Sequence, residues 1–279
     1  MKRRYPIIKK IPLAVRRRRI VVSRLLAGTL MVSSLILATQ WILTRPNYLI
    51  KKVVIEGIKS ISGQEMRSLV SDKLDGSYLG IIPRSSIIFY PREKIAGVLG
   101  DYFRSLESAA IYIGRDKSLV ISVEERTPQF IWCRETGSVP AEQCFFMDRG
   151  GYIFDEAGGE SLESYIRFDG FINGIDNPIG RFYISSERFA DISSFLGELA
   201  RIGLHPKNFL VNDSGEYVIN LKSDTYLLVS NDADFEDVLS NINSVRNDPD
   251  LKKLFIEDIL PFEYIDLRLN KKIYYKLRT

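Results

Sequence analysis

Hydrophobic positions follow one another along this chain in three rhythms. From Leu25 to Thr44 twenty residues pass without a charge, between Arg24 and Arg45. At 1.5 Å per helical residue such a run spans about 30 Å, the thickness of a bilayer's hydrocarbon core. Trp41, near its far end, stands where an interfacial aromatic is expected. From Tyr48 the pattern alternates: Leu49, Lys51, Val53 and Ile55 on one side, Ile50, Lys52 and Val54 on the other, up to Glu56-Gly57. That predicts a strand closed by a glycine turn. Ser62-Gly-Gln-Glu65 has capping-box spacing, with Ser62 capping a helix and Glu65 reaching back; Met66, Leu69, Val70 and Leu74 form its apolar side. Gly76 and Pro83 break the chain into a loop. Pro91 opens a second helix carrying Ile95, Val98 and Leu99, and strands 108–113 and 118–125 follow around a Gly-Arg-Asp-Lys turn. The predicted order is β-α-α-β-β.

The third rhythm, from about Gln129, is richer in strands. Phe145 to Asp148 and Tyr152 to Phe154 flank a turn at Arg149-Gly150-Gly151, a hairpin pattern. Ser185 and Ser186 open a helix with Phe189, Ile192, Leu196 and Leu199 on one face. Val211, Tyr217–Leu221 and Tyr226–Val229 alternate as a meander, and a further helix carries Phe235, Val238, Leu239, Ile242 and Val245. The chain closes on two short strand patterns around an Asn-Lys turn. The fold class expected is α+β: a single N-terminal transmembrane helix, a β-α-α-β-β domain over 48–126, and a mainly antiparallel β domain with flanking helices over 127–279.

Charge orients this arrangement. Residues 1–24 carry ten Lys or Arg and no acid, while the other 29 basic and 35 acidic residues leave the remainder at −6. A basic tail on an acidic body argues against nucleic-acid binding, which needs positive charge on the folded part. By the positive-inside rule the N-terminus lies in the cytoplasm and the larger part outside. The uncharged run is too long for a signal-peptide core and no A-x-A pattern follows it. The tail, with Pro6 and Pro12 and no helical stripe, reads as disordered and drawn to anionic membrane lipid. Cys133 and Cys144, the only two cysteines, then stand on the oxidising side with ten residues between them, each flanked by strand-like residues. A cross-strand bridge and two free thiols are both open, and the compartment favours the bridge.

Here a resemblance enters. VVIEGIKSIS followed by a capped helix, then LVISVEERTPQFIW, resembles the POTRA domain of the FtsQ/DivIB bacterial cell-division proteins. Ile121, Val123, Glu125, Arg126, Pro128 and Trp132 hold the places of that domain's I-x-V-x-E-R-x-P pattern and its following aromatic, and Gly57 ends the first strand. FMDRGGYIFDEA, with Asp148 and Gly151, is similar to the family's Asp-x-x-Gly hairpin. YIDLRLNKKIYYKL, with Asp266, Leu267 and Arg268, is similar to its terminal strand pair. The stretch from Gly76 to Tyr90, the cysteine-bearing loop and the piece from Asn247 to Ile259 depart from the pattern. The resemblance implies a bitopic divisome scaffold at the septum. It would dock other membrane-bound division proteins through the POTRA domain, bind FtsB-like and FtsL-like coiled-coil partners, and help control septal peptidoglycan synthesis. The competing reading is a wall-modifying or sensory ectodomain of another envelope system.

Catalytic chemistry is hard to find. His205, the single histidine, lies in a Gly-Leu-His-Pro turn with no nucleophile motif about it. Asn231 to Asp237 has the acids of a calcium loop but not its Gly and Glu positions, so Asp232 or Asp234 reads as a helix cap. The double glycines at 150–151 and 158–159 match no phosphate-binding spacing. The chain is expected to be no enzyme and to need no cofactor or metal.

The end of the chain is the candidate site. Strand-forming residues run through Tyr264–Leu269 and Ile273–Leu277, so the last strand is expected at a sheet edge. Exposed edges are blunted by charge or covered by a partner. Lys271, Lys272, Lys276 and Arg278 serve the first reading. The second is addition of a partner strand over Arg268, Leu269, Lys272, Ile273, Tyr274, Tyr275 and Lys276, with Leu269, Ile273 and Tyr275 offering apolar contacts and the basic residues steering an acidic segment. The resemblance implies the same place. Asp266 and Arg268 are expected to be more structural than contacting.

Overall fold

A computed structural model describes residues 13–134, 143–158, 162–170, 177–212, 214–247, 251–254, 260–269 and 272–278. The expectation for residues 1–12 lies outside these. The architecture is α+β, and the chain divides into two compact units: Met1–Tyr102 with Ser108–Glu124, and Phe103–Glu107 with Glu125–Thr279. The boundary expected at residue 126 is therefore interleaved. Ser105 accepts the Arg126 N–H at 2.8 Å, which holds its short segment in the second unit.

The first unit begins with helix α1 (Leu13–Leu43), long and apolar enough to cross a membrane from Arg17 onward. It starts twelve residues ahead of the uncharged run, so disorder is overturned for residues 13–24. Arg is a strong helix former and the run offers a turn already made on which to extend. Arg45 stacks over the Trp41 ring at 3.7 Å where the helix ends.

The strand expected from Tyr48 is shorter than its alternation suggests. Pro46–Tyr48 form a 3-10 turn, Leu49 makes only an isolated bridge to Ser86, and β1 covers Val53–Glu56. A proline that fixes φ two residues before Tyr48 delays entry into the sheet. Helix α2 (Gly63–Leu74) is capped by the Ser62 hydroxyl, which accepts from Glu65 N at 3.3 Å. Glu65 completes no box; its carboxylate takes the Tyr102 hydroxyl at 2.5 Å. That bond raises the phenol's pKa. The Gly76–Tyr90 loop holds a small hairpin, β2 (Ser77–Tyr78) and β3 (Ile82–Pro83). Helix α3 (Arg92–Tyr102) follows Pro91, then β4 (Leu106–Ile113) and β5 (Leu119–Glu125) around the 114–117 turn. The sheet order is β1-β5-β4, with β1 parallel to β5. Gly57 turns at φ +87°, and a Cβ there would stand 2.1 Å from the Val123 carbonyl oxygen, so only glycine ends β1 at this place. Met66, Val70, Ile95, Leu99, Ile111 and Ile121 are among the buried side chains.

Among the described residues the second unit holds one ten-stranded sheet. Its strands are β6 (Phe130–Arg134), β7 (Gln143–Met147), β8 (Tyr152–Ala157), β9 (Ile166–Asp169), β10 (Arg181–Phe182), β11 (Pro206–Val211), β12 (Tyr217–Leu221), β13 (Tyr226–Val229), β14 (Phe262–Asp266) and β15 (Tyr274–Leu277). They lie in the order β10-β8-β7-β6-β9-β11-β12-β13-β14-β15. Six pairings are antiparallel; β6–β9, β9–β11 and β13–β14 are parallel. Register aligns Phe145, Trp132, Phe168, Phe209, Ile219, Leu227, Ile265 and Tyr275 in one row across eight strands. Every member but Tyr275 is buried. Helices α4 (Ser186–Arg201) and α5 (Phe235–Arg246) cover that face through Phe189, Ile192, Leu196, Val238 and Ile242. Period-2 alternation and period-3.6 stripes thus meet in one core. Ser185 and Asp234 cap the two helices, accepting from Arg188 N and Glu236 N.

The adjoining row on the other face is mixed: Ile131, Arg167, Asn208, Asn220, Tyr226, Tyr264 and Lys276. Cys133 and Cys144 face each other across β6 and β7 with Cα atoms 4.1 Å apart, and their sulfurs are bonded.

Candidate interaction edge

β15 is the last strand of the sheet and hydrogen-bonds to β14 alone; among the described residues nothing pairs with its other side. Opposite partners are Ile265 with Tyr275, Asp266 with Tyr274 and Tyr264 with Lys276. All four β15 residues are exposed, Tyr274 at 52%, Tyr275 at 42% and Leu277 at 47%. Such a strand presents a run of backbone donors and acceptors to whatever lies beyond it.

Its two faces differ. On the helix-covered side Tyr275 meets the buried Phe262 edge-on, ring centres 5.4 Å apart, and ends the apolar row of the core. On the other side Tyr226 and Tyr264 stack at 5.6 Å, and the Lys276 ammonium sits 2.6 Å from Glu263. Glu263 holds the Lys276 pKa above its ordinary value. Lys276 thus has part of its charge answered within the sheet. Ile273, half-buried, packs against the core; Leu269 and Lys272 are exposed in the approach to β15. Lys271 lies outside the described residues. The Arg278 guanidinium reaches the Ser223 and Phe262 carbonyls, both at 3.3 Å.

Arg268 belongs to a clamp. Its Nε and Nη2 donate to the two Asp266 oxygens at 2.9 and 2.5 Å, and Nη1 donates to both Glu216 oxygens at 2.8 and 3.0 Å. Glu216 also accepts from the Asn212 amide at 3.1 Å. These donors hold both carboxylates below their ordinary pKa, Asn212 first and then Arg268 for Glu216, Arg268 for Asp266. The Arg268 pKa is raised, mainly by Asp266. The clamp joins the β11–β12 turn to the end of β14, and it leaves Arg268 few donors for a partner. Glu216 is the residue that sequence reasoning missed, because the parallel β13–β14 pairing that brings it near has no local signal.

The signature residues are architectural. Glu125 is buried. Arg126 is ion-paired to the buried Asp148 and lies over the Tyr152 ring at 4.2 Å. Asp148 also accepts from Gly150 N and Tyr152 N, which shapes the β7–β8 turn. At Gly151, φ is +75° and a Cβ would lie 2.6 Å from the Phe189 ring. Pro128 is half-buried between β5 and β6, and Leu267 is buried, its N–H donating to Leu228. His205 is exposed in the α4–β11 connection. Compared with known proteins, the chain matches no family model and no curated sequence.

Proposed function

We propose that this chain is a non-enzymatic, single-pass scaffold of the FtsQ/DivIB type, and that β15 captures an FtsB-like partner by strand addition. The observation that carries the reading is the open edge of β15, where the row of the sheet core runs out at the exposed Tyr275. A partner strand beside β15 gains backbone hydrogen bonds, and an apolar residue level with Tyr275 extends the core row by one place. Leu269 and Leu277 widen the apolar contact, and Lys272 steers an acidic partner segment. An FtsL-like protein joins through its coiled coil with the FtsB-like one.

Several features support the family. They are the apolar helix ahead of both units, the β-α-α-β-β order with its β1-β5-β4 sheet, and the sequence resemblance at both ends of the second unit. The basic residues before α1 favour a cytoplasmic N-terminus, with both units outside and the chain gathered at the septum.

The test is co-purification of the full-length chain with FtsB-like and FtsL-like proteins from the same cells. Tyr275→Asp, or removal of residues 271–279, abolishes capture while circular dichroism shows the chain still folded. Unchanged capture by a folded Tyr275→Asp chain places the site elsewhere. A fluorescent fusion spread evenly around dividing cells sinks the divisome reading, and a chain lacking 48–126 is expected to stay membrane-inserted without concentrating at midcell.

A further inference from the structure

The first unit carries apolar side chains with no counterpart in its core. The tight turn between β2 and β3 is closed by Ile81 N donating to Tyr78 O at 3.0 Å, and its two central residues both have positive φ, Leu79 at 51° and Gly80 at 73°. Turns of this kind take Asn, Asp or Gly at the first central place. Here a leucine stands there, and it is 96% exposed. Ile88 and Phe89, a few residues on, are exposed as well. A backbone outlier that holds a large apolar side chain out into its surroundings points to something for that side chain to meet.

The chain path says which surface lies opposite. Leu43, the last residue of α1, is buried, and the end of α1 lies against β3. Seven residues later Ile50 N donates to Ser85 O at 2.8 Å, and Ile87 N donates to Tyr48 O at 2.9 Å. The 76–90 segment is therefore fastened to the chain as it leaves the helix. The β4–β5 turn is at the same end, because Lys51 N donates to Lys117 O and the Lys117 ammonium reaches Asn47 at 3.3 Å. Basic residues collect here, Lys51, Lys52, Arg84, Arg115 and Lys117, against one acid, Asp116, which lies 2.9 Å from the Lys52 ammonium. At the opposite end, where β1 finishes and α2 starts, Glu65 binds Tyr102. Exposed apolar side chains among cations are the composition of a bilayer-interface contact.

We propose that the β2–β3 turn and Ile88-Phe89 insert into the lipid headgroup region beside α1, so that the first unit rests on the membrane surface instead of swinging on a tether. The inference rests on α1 crossing the bilayer and on nothing in the partner-binding reading. Because the native cysteines are bonded to each other, single added cysteines can be labelled without reductant. An environment-sensitive fluorophore is placed at Leu79→Cys, at Phe89→Cys, at Gln64→Cys on the opposite end, and at Leu35→Cys within α1. The full-length chain is held in nanodiscs of phosphatidylcholine and phosphatidylglycerol, with or without brominated acyl chains. Leu79 and Phe89 labels are expected to be quenched by bromolipid at least about twofold more than the Gln64 label, as burial at the interface requires. Quenching at Leu35 alone overturns the surface contact and leaves the span standing. No quenching at Leu35 removes the span, and the proposal with it.

Discussion

The ten-stranded sheet has two edges, and they are built differently. At one, β10 contributes only Arg181 and Phe182. Its flanks are tied in by Gly180 N to Ile153 O and Tyr183 N to Gly151 O, and Phe182 lies edge-on to Tyr152 at 5.1 Å. The chain then enters α4. A two-residue strand leaves little template for another chain, one of the ordinary protections of an edge. At the other edge β15 runs four residues, all exposed, and Lys276 spends its charge on Glu263 within the sheet. One border is closed by its brevity; beside the other, among the described residues, no further strand lies. The proposed strand capture rests on this difference between the two borders.

The largest expected effect erases the contrast by weakening the core beneath it. Phe189 packs between Phe130 and Phe168, at 5.5 and 5.1 Å. Phe189→Ala should cost about 3–5 kcal/mol in urea unfolding of the folded part. Opening the Cys133–Cys144 bridge by a double change to serine should cost about 2–3 kcal/mol on the chain-entropy view. Alkylation without reductant, read by intact mass, should find no free thiol in the unaltered chain.

A sharper comparison alters one exposed aromatic at each edge. Phe182→Asp and Tyr275→Asp should each change stability by roughly 0.5–1.5 kcal/mol, near the middle of measured single substitutions. Only Tyr275→Asp should weaken partner capture, by about tenfold or more if it is a hot spot. Equal loss from both changes would make the two edges equivalent. The smallest effect concerns the clamp at Arg268. Glu216 and Asp266 titrate below their unfolded values in the folded chain. Their contribution is complete above the unfolded carboxylate range, about pH 4, and drains away as pH falls through the lower folded values. Arg268→Ala should therefore lower the melting temperature slightly at neutral pH and flatten its fall below about pH 4.

What could be read from sequence followed the range of the signal. Ser62, Ser185 and the Asp234 cap act within three residues, and each helix stands where its cap foretold. The alternation in 217–221 and 226–229 maps onto β12 and β13 because one face is buried throughout. β9 was missed since Ile166–Asp169 is too short to show a period, and it is held on both sides by parallel partners distant in sequence. The same long-range pairing hid Glu216. Residues 49–52 alternate as a strand would, yet they are spent on single bonds to the 85–87 and 117–119 segments. At the edge the apolar and charged residues were legible. Which of them the sheet itself uses was not: Arg268 and Lys276 turn out to be engaged, Leu269 and Tyr275 to be displayed.

β15 is outermost in the sheet, held on one side by its ladder to β14 and by the contacts of Ile273, Tyr275, Lys276 and Arg278 with the sheet beside it. Its amides should therefore exchange with deuterium through local fraying, far faster than those of β11 to β13, which open only with the whole sheet. A partner strand turns β15 from a border into an interior strand. Its exchange should then slow toward the rate of the interior, and the size of that slowing is a direct reading of how firmly the partner is held.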